Sequence, residues 1–298
     1  MIKEHPWTAV GASIEHAVGT PLTITSAEPL GGGCINEGFR LRTSRQQYFV
    51  KFNRSDRLRM FDAEAAGLSQ LAATKCIRVP QPVCASSTSD FAWLVLEFVP
   101  FSSGGLDSAT ASRLGTQLAA LHRCSHNSFG WSRDNTIGST TQINTPESDW
   151  IVFWREHRLR FQLELVGRSA ETETLRRSAA RLLDRLPGFF ADYHPAPSLL
   201  HGDLWGGNAA VMADGEPVLF DPAVYYGDRE ADLAMTELFG GFPPAFYTAY
   251  RDAWPLDRGY AQRRDLYNLY HVLNHLNLFG GSYLHQAERM IDGLLGRK

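Results

Sequence analysis

Over the first hundred positions apolar and polar residues mostly alternate with a period of two, the repeat of a strand with one buried face. In "GFRLRT" Phe39 and Leu41 alternate with Arg40 and Arg42, and in "QYFVKFN" Tyr48, Val50 and Phe52 fall on one face with Phe49 and Lys51 on the other. These two segments predict a hairpin-like pair. "MFDAEAAGLSQLAAT" breaks the alternation, placing Met60, Glu64, Leu68 and Leu71 at helical spacing, and "FAWLVLEFVPF" returns to a β-rich run ended by Pro100. The first third therefore reads as strands with one inserted helix. A Gly/Ser stretch from Phe101 to Ser108 is the linker candidate. Beyond it, "TASRLGTQLAALHRC" sets Leu114, Leu118 and Leu121 on one stripe behind Asp107 or Ser108 as N-cap. "SDWIVFWREHRLRFQLEL" and "ETLRRSAARLLDRL" follow as amphipathic helices, with "AAVM" and "PVLFD" as short strands. The predicted organisation is α+β, a small β-rich lobe over 1–100 and a larger, mostly helical lobe over 101–298, with no internal repeat.

Composition removes several function classes. Lys and Arg number 29 against 32 Asp and Glu, and the net charge of −3 argues against a field that would gather nucleic acid or anionic lipid. Cys34, Cys76, Cys84 and Cys124 fit neither a short-spaced zinc pattern nor a dense disulfide framework, so the thiols are expected to be reduced. The N-terminus lacks a long apolar stretch, and no uninterrupted apolar run approaches the ~18 residues of a membrane span. The expectation is a soluble, cytoplasmic protein with no membrane or nucleic-acid partner.

The chemistry-bearing residues concentrate in "LLHGDLWGGN" and "VLFDPAVYYGDREADLAM". Asp203 and Asn208 have the Asp-x4-Asn spacing of a phosphoryl-transfer loop, in which the acid accepts a hydroxyl proton and the amide oxygen holds a metal. Asp221 ends a strand-like run and is the candidate magnesium carboxylate, an oxygen ligand suited to a hard cation that keeps part of its water. Lys51 lies on a strand and Glu64 on the following helix, an arrangement in which a carboxylate orients a lysine toward nucleotide phosphates. Gly31, Gly32 and Gly33, in "LGGGCINEGF", allow main-chain N–H groups to approach phosphate oxygens. Asn36 interrupts the Gly-x-Gly-x-x-Gly pattern, and neither a Walker A motif nor a strand-to-helix dinucleotide turn is present.

These residues, with "FVK" ending at Lys51, "LVLEFV" at 94–99, "FGW" and "DNTIG" at 129–138, and "LYHVLNHLNLFGGSY", resemble the fructosamine kinase (ketosamine 3-kinase) family. That family is a small-molecule branch of the protein-kinase-like fold, beside aminoglycoside phosphotransferases and choline kinases. The resemblance covers nearly the whole chain. It implies two lobes with ATP between them, magnesium as cofactor, and transfer of the γ-phosphate to O3 of a fructosamine or ribulosamine, free or carried by a glycated protein. The product then decomposes and releases the amine. Asp203 would be the base, Asn208 and Asp221 the magnesium ligands, Lys51 with Glu64 the phosphate clamp, and Glu97, Phe98 and Val99 the hinge meeting adenine through main-chain groups. Gly202 stands where protein kinases carry Arg, and Pro222 and Ala223 follow Asp221 in place of Phe-Gly, which argues against switching by phosphorylation. Phosphorylation of another small alcohol, such as choline or an aminoglycoside, and a non-catalytic nucleotide-binding protein are the alternatives.

On the acceptor side, Trp205 could stack on a sugar, and Tyr225, Asp228 and Arg229 follow the metal aspartate closely. Asp232 is expected to brace the catalytic loop. Tyr267, Tyr270, His271 and Asn274 share one helical face that could line a sugar pocket or form a buried network. The basic segment 155–168 is expected to show a solvated face.

Overall fold

The computed structural model describes residues 5–31 and 35–296. In chain order its elements are α1 Trp7–Val18, β1 Ile24–Leu30, β2 Glu37–Thr43, β3 Gln47–Arg54, α2 Leu58–Ala73, β4 Pro82–Ser87, β5 Phe91–Glu97, α3 Ser108–His122, β6 Asn135–Ile137 and β7 Thr140–Gln142. There follow α4 Trp150–Phe153, a π-helical stretch Trp154–Arg160, α5 Phe161–Leu165, α6 Glu173–Arg185, β8 Ser198–Leu200, β9 Ala209–Val211, β10 Pro217–Leu219, β11 Tyr225–Gly227, α7 Glu230–Leu238, α8 Pro244–Ala253, α9 Tyr260–Phe279 and α10 Tyr283–Leu294. The chain forms two compact units, one of Met1–Gly105 with Ala210–Pro222, the other of Leu106–Ala209 with Ala223–Lys298. Among the described residues no helix is long and apolar enough to cross a membrane.

The first unit is built on an antiparallel sheet in the order β1-β2-β3-β5-β4. Alternation on β3 places Tyr48, Val50 and Phe52 in a core with Leu41, Trp93 and Val95, and turns Lys51 to the opposite face, paired in register with Leu94. That core is closed by a helix the alternation argument does not anticipate. Val10 and Ile14 of α1 are fully buried against it, and Gly19 ends the helix in the left-handed region at φ 70°. The first third therefore carries two helices: α1 packs on the core described here, while α2 contributes Met60, Phe61, Leu68 and Leu71 as buried residues. The β9–β10 hairpin belongs to this unit and carries Asp221 just beyond its end.

In the second unit, Asp107 caps α3 by accepting from the Thr110 N–H at 2.7 Å. Gly115 on α3 lets α8 approach so closely that a Cβ there would stand 2.2 Å from the Phe246 carbonyl oxygen. The expected solvated basic helix over 155–168 is corrected at Arg158, which is fully buried. Its guanidinium lies 4.1 Å from the centroid of the Tyr225 ring and donates to Asn144 Oδ1 at 2.8 Å and to the Ile143 carbonyl. The π-helical winding occurs in this same stretch, a departure that helical periodicity in the sequence does not reveal.

Candidate active site

The loop His201–Asn208 leaves β8, which pairs antiparallel with β11. Its entry is fixed by one buried carboxylate. Asp232, on the first turn of α7, accepts the His201 N–H at 2.7 Å, the Gly202 N–H at 2.8 Å and a hydrogen bond from His122 Nε2 at 3.1 Å. Burial alone would raise the Asp232 pKa, and these donors with the neighbouring histidines hold it below the ordinary carboxylate value. His122 continues inward to the Tyr250 hydroxyl at 2.8 Å. Asp232 thus braces the catalytic loop. Gly202 has φ +82°, and a Cβ there would stand 2.0 Å from the Ala223 carbonyl oxygen, a steric reason why no side chain occupies the position protein kinases give to Arg.

Beyond that turn Asp203 is partly exposed while Leu204 is fully buried, so the chain is anchored on both sides of the carboxylate. The Asp203 N–H approaches His201 Nδ1 at 3.3 Å. Asn208 donates its side-chain amide to the Asp203 carbonyl at 2.8 Å and to Asp203 Oδ2 at 3.2 Å, which orients the carboxylate and turns the amide oxygen of Asn208 away from it. Trp205 is 38% exposed, with its ring against Gly207 and Phe239.

Three sequence candidates in the first unit meet directly. Lys51 Nζ donates to Glu64 Oε1 and to Asp221 Oδ1, each at 2.6 Å. Burial would lower the ammonium pKa, but Asp221 and Glu64 reverse this and raise it, so the lysine is held charged. Burial pushes the Glu64 carboxyl upward against the opposing pull of Lys51. Asp221 sits at φ 55°, one of two non-glycine residues with positive φ among those described. The Glu97 carboxylate pairs with Arg78 and accepts the Gln81 N–H, and the Glu97 N–H donates to the Gln81 carbonyl at 2.8 Å. Phe98 lies under the Arg40 guanidinium at 4.7 Å, and Val99 is buried. Gly31 is described, whereas Gly32, Gly33 and Cys34 lie outside the described residues. Asn53 Nδ2 fastens the end of that loop, donating to Asn36 Oδ1 at 2.7 Å and to the Ile35 carbonyl at 3.1 Å.

Among the described residues no three His, Cys, Asp or Glu side chains gather into a metal cluster. Magnesium takes one or two carboxylates and completes its shell with phosphate and water oxygens, and each candidate donor taken by itself has that chemistry. Asp221 offers a half-exposed carboxylate with Lys51 on one oxygen, and Asn208 offers an amide oxygen.

Several acceptor-side candidates do not face an open site. Asp228 is fully buried and accepts from Tyr193, Tyr267 and the Glu230 N–H, while Arg229 donates to Tyr250, Trp254 and Pro255. Both side chains are buried, and in this structure they serve as internal supports. Tyr225 packs on Arg158, and Asn274 bonds Gln162 and the Ile137 carbonyl. His271 is buried on α9, so the polar face of that helix is a buried network. The spacing argument missed Asn135 and Gln142, which donate to the Val224 and Ala223 carbonyls at 2.8 and 3.0 Å. Their only sequence signal was the block "DNTIG", which contains Asn135.

Known proteins resemble this chain over nearly its whole length. The profile of the fructosamine kinase family matches residues 6–297. A probable ketoamine kinase of Synechocystis sp. is 48% identical over 291 residues, covering 97% of each chain. A chloroplastic protein-ribulosamine 3-kinase of Arabidopsis thaliana is 42% identical over 280 residues, covering 93% of this chain and 85% of its own. A crystal structure from Haemophilus somnus, assigned as a fructosamine-3-kinase, superposes with a TM-score of 0.88 at 28% identity and 97% coverage of both chains. The fold is protein-kinase-like, shared with a choline kinase of Streptococcus pneumoniae and an aminoglycoside phosphotransferase. With its profile matched nearly end to end, this chain belongs to the fructosamine kinase family and is an ATP-dependent phosphotransferase.

Proposed function

We propose that the acceptor is a ketosamine, fructosamine or ribulosamine, phosphorylated on O3 so that the product decomposes and releases its amine. Relatives named for ketoamines and for protein-linked ribulosamine, at 48% and 42% identity, support the substrate class. The observation that carries the chemistry is the Asp203–Asn208 loop, in which the carboxylate is aimed by an amide and its backbone is clamped by Asp232. Asp203 takes the proton of the attacking hydroxyl. Lys51, kept charged by Glu64 and Asp221, neutralises phosphate oxygens, and the main-chain N–H groups of Gly31, Gly32 and Gly33 would donate to them. With the Glu97 N–H already used by Gln81, main-chain donation to adenine falls to Phe98 and Val99, and Glu97 would take part through its carbonyl. Asn208 and Asp221 would hold magnesium, which supplies charge neutralisation on the transferred phosphoryl group. Trp205 offers its exposed face to the sugar ring.

The proposed setting of the reaction is the cytoplasm. The test is phosphate transfer from ATP to fructose- and ribulose-derived amines, with choline and an aminoglycoside as controls. Asp203→Asn is expected to abolish transfer while keeping the fold. Unchanged turnover in that variant would remove Asp203 as base, and transfer to the controls alone would overturn the substrate class.

A further inference from the structure

Two peptide carbonyls beside the catalytic loop are held by side chains of the β6–β7 hairpin. β11 begins at Tyr225, so Ala223 and Val224 precede its ladder. Gln142 Nε2 donates to the Ala223 carbonyl at 3.0 Å, and Asn135 Nδ2 donates to that of Val224 at 2.8 Å. Asn135 and Gln142 stand opposite each other in the hairpin register, which brings the two buried amides side by side. The Ala223 peptide is also gripped from its other end. Its N–H donates to the His201 carbonyl at 2.8 Å, and its oxygen lies where Gly202 has room for a hydrogen and for nothing larger. This peptide therefore joins the hairpin to the turn that delivers Asp203.

The direction of each amide in the cluster is dictated by its partners. A carbonyl can only accept, so Gln142 presents Nε2 to Ala223 and to Asn135 Oδ1 at 2.8 Å, and turns Oε1 to the Tyr270 hydroxyl, which donates at 2.9 Å. The Arg158 guanidinium can only donate, so Asn144 gives it Oδ1 and sends Nδ2 to Asn135 Oδ1 at 3.0 Å. Exchanging the two ends of the Gln142 amide would set oxygen against oxygen. Burial pushes the Tyr270 hydroxyl up to about 12, Arg158 opposes this, and the Asp203 carboxylate adds to the rise. The phenol thus stays a donor and lies within electrostatic reach of the base.

We propose that Gln142 is a positioning residue for Asp203: by holding the Ala223 carbonyl against the Gly202 turn, it fixes the direction in which the carboxylate meets the acceptor hydroxyl. The inference rests on the reading of Asp203 as base and goes beyond it. Asp232 clamps the N–H groups of His201 and Gly202, whereas Gln142 secures the His201 carbonyl through the Ala223 peptide. The turn is held on both sides only when both residues act. Withdrawing the Gln142 donor leaves a buried oxygen unpaired, and the peptide shifts to find another partner. A displacement of about 1 Å at a reacting group costs on the order of a hundredfold in rate, so a small shift of this peptide reaches the reaction.

The experiment measures kcat and the KM for ATP, with the ribulosamine of methylamine as acceptor, between about pH 6 and pH 9 in the unaltered enzyme, Gln142→Met and Gln142→Glu. Methionine keeps the volume and lacks the donor, so kcat is expected to fall about ten- to a hundredfold at every pH with the KM for ATP unchanged. In Gln142→Glu the introduced carboxyl donates to Ala223 while protonated and repels it once ionised. Its kcat relative to the unaltered enzyme is expected to be near full at the acid end and to fall as that carboxyl ionises, while Tyr270 keeps its hydrogen throughout. Thermal midpoints at each pH establish which variants are folded at the assay temperature, and a side chain that served stability alone would leave the kcat of folded enzyme unchanged. Should Gln142→Met not fold, Gln142→Glu at acid pH still carries the donor and reads the dependence. Full activity of Gln142→Glu at every pH beside a loss in Gln142→Met would also support the donor. Unchanged kcat in folded Gln142→Met, a loss in Gln142→Glu that ignores pH, or a loss confined to KM would overturn the positioning role and leave Asp203 as base. Turnover that survives Asp203→Asn would remove both.

Discussion

His271 is enclosed by protein, and burial together with the neighbouring His275 and Arg158 lowers its pKa to about 3, against the smaller opposing pull of Asp232. The unfolded chain takes up a proton near pH 6.5 that the folded chain refuses until about pH 3, so this residue's stability contribution is complete above pH 6.5 and is lost as the pH falls through that interval. At pH 5 the loss amounts to about 2 kcal/mol. His271→Asn is expected to lower stability at neutral pH yet to lose about that much less than the unaltered protein between pH 7 and pH 5, read from urea midpoints. A parallel decline would show that other groups govern the acid limb. The same residue marks how far a sequence can be read. Lys51, Glu64, Asp203, Asn208 and Asp221 stood out because their types and intervals are those of a reaction. Arg158, Asn135 and Gln142 did not, because a polar letter does not say whether its side chain faces water or a buried carbonyl.

Elements were legible where one face had to be apolar. Alternation on β3 set Lys51 opposite Val50, and the 3.6-residue period found α2 and α3. It did not find α1, although Trp7, Val10, Gly11 and Ile14 carry the helical interval, because a twelve-residue helix with two buried apolar side chains has a weak stripe. The π-helical turn was invisible, since it depends on how Trp154 and Arg158 pack and not on a repeat. Contact between α3 and α8 depends on a missing side chain. Gly115→Ala gains intrinsic helix propensity of about 1 kcal/mol, yet drives a methyl into the Phe246 carbonyl at 2.2 Å. The steric term wins, and a net destabilisation of about 1–3 kcal/mol is expected in denaturant unfolding. A more stable variant would show that the two helices can separate at little cost.

For the whole molecule, the near-neutral balance of 29 basic and 32 acidic residues leaves recognition to local groups, not to a long-range field. Ligand should then report itself through mass action. ATP with magnesium, at a free concentration a hundred times its dissociation constant, adds about 2.7 kcal/mol to the folded state. A rise of several degrees in thermal midpoint is expected, and chelation of magnesium should remove most of it. A midpoint indifferent to nucleotide would contradict the assignment of the phosphate clamp. Asp221 gives this measurement a second use. It holds a carboxylate in a backbone conformation that asparagine adopts at least as readily, and it adds negative charge beside the buried Glu64. Asp221→Asn preserves an acceptor for Lys51 and relieves Glu64, but it also gives up the charge opposite the buried ammonium, so the two terms oppose and it should fold with a midpoint close to that of the unaltered protein, give no magnesium-dependent shift and show no turnover. Laboratory evolution that sorted this chain only on expression or heat tolerance would let the reactive carboxylate drift away unnoticed, and any such campaign has to score product formation at every round.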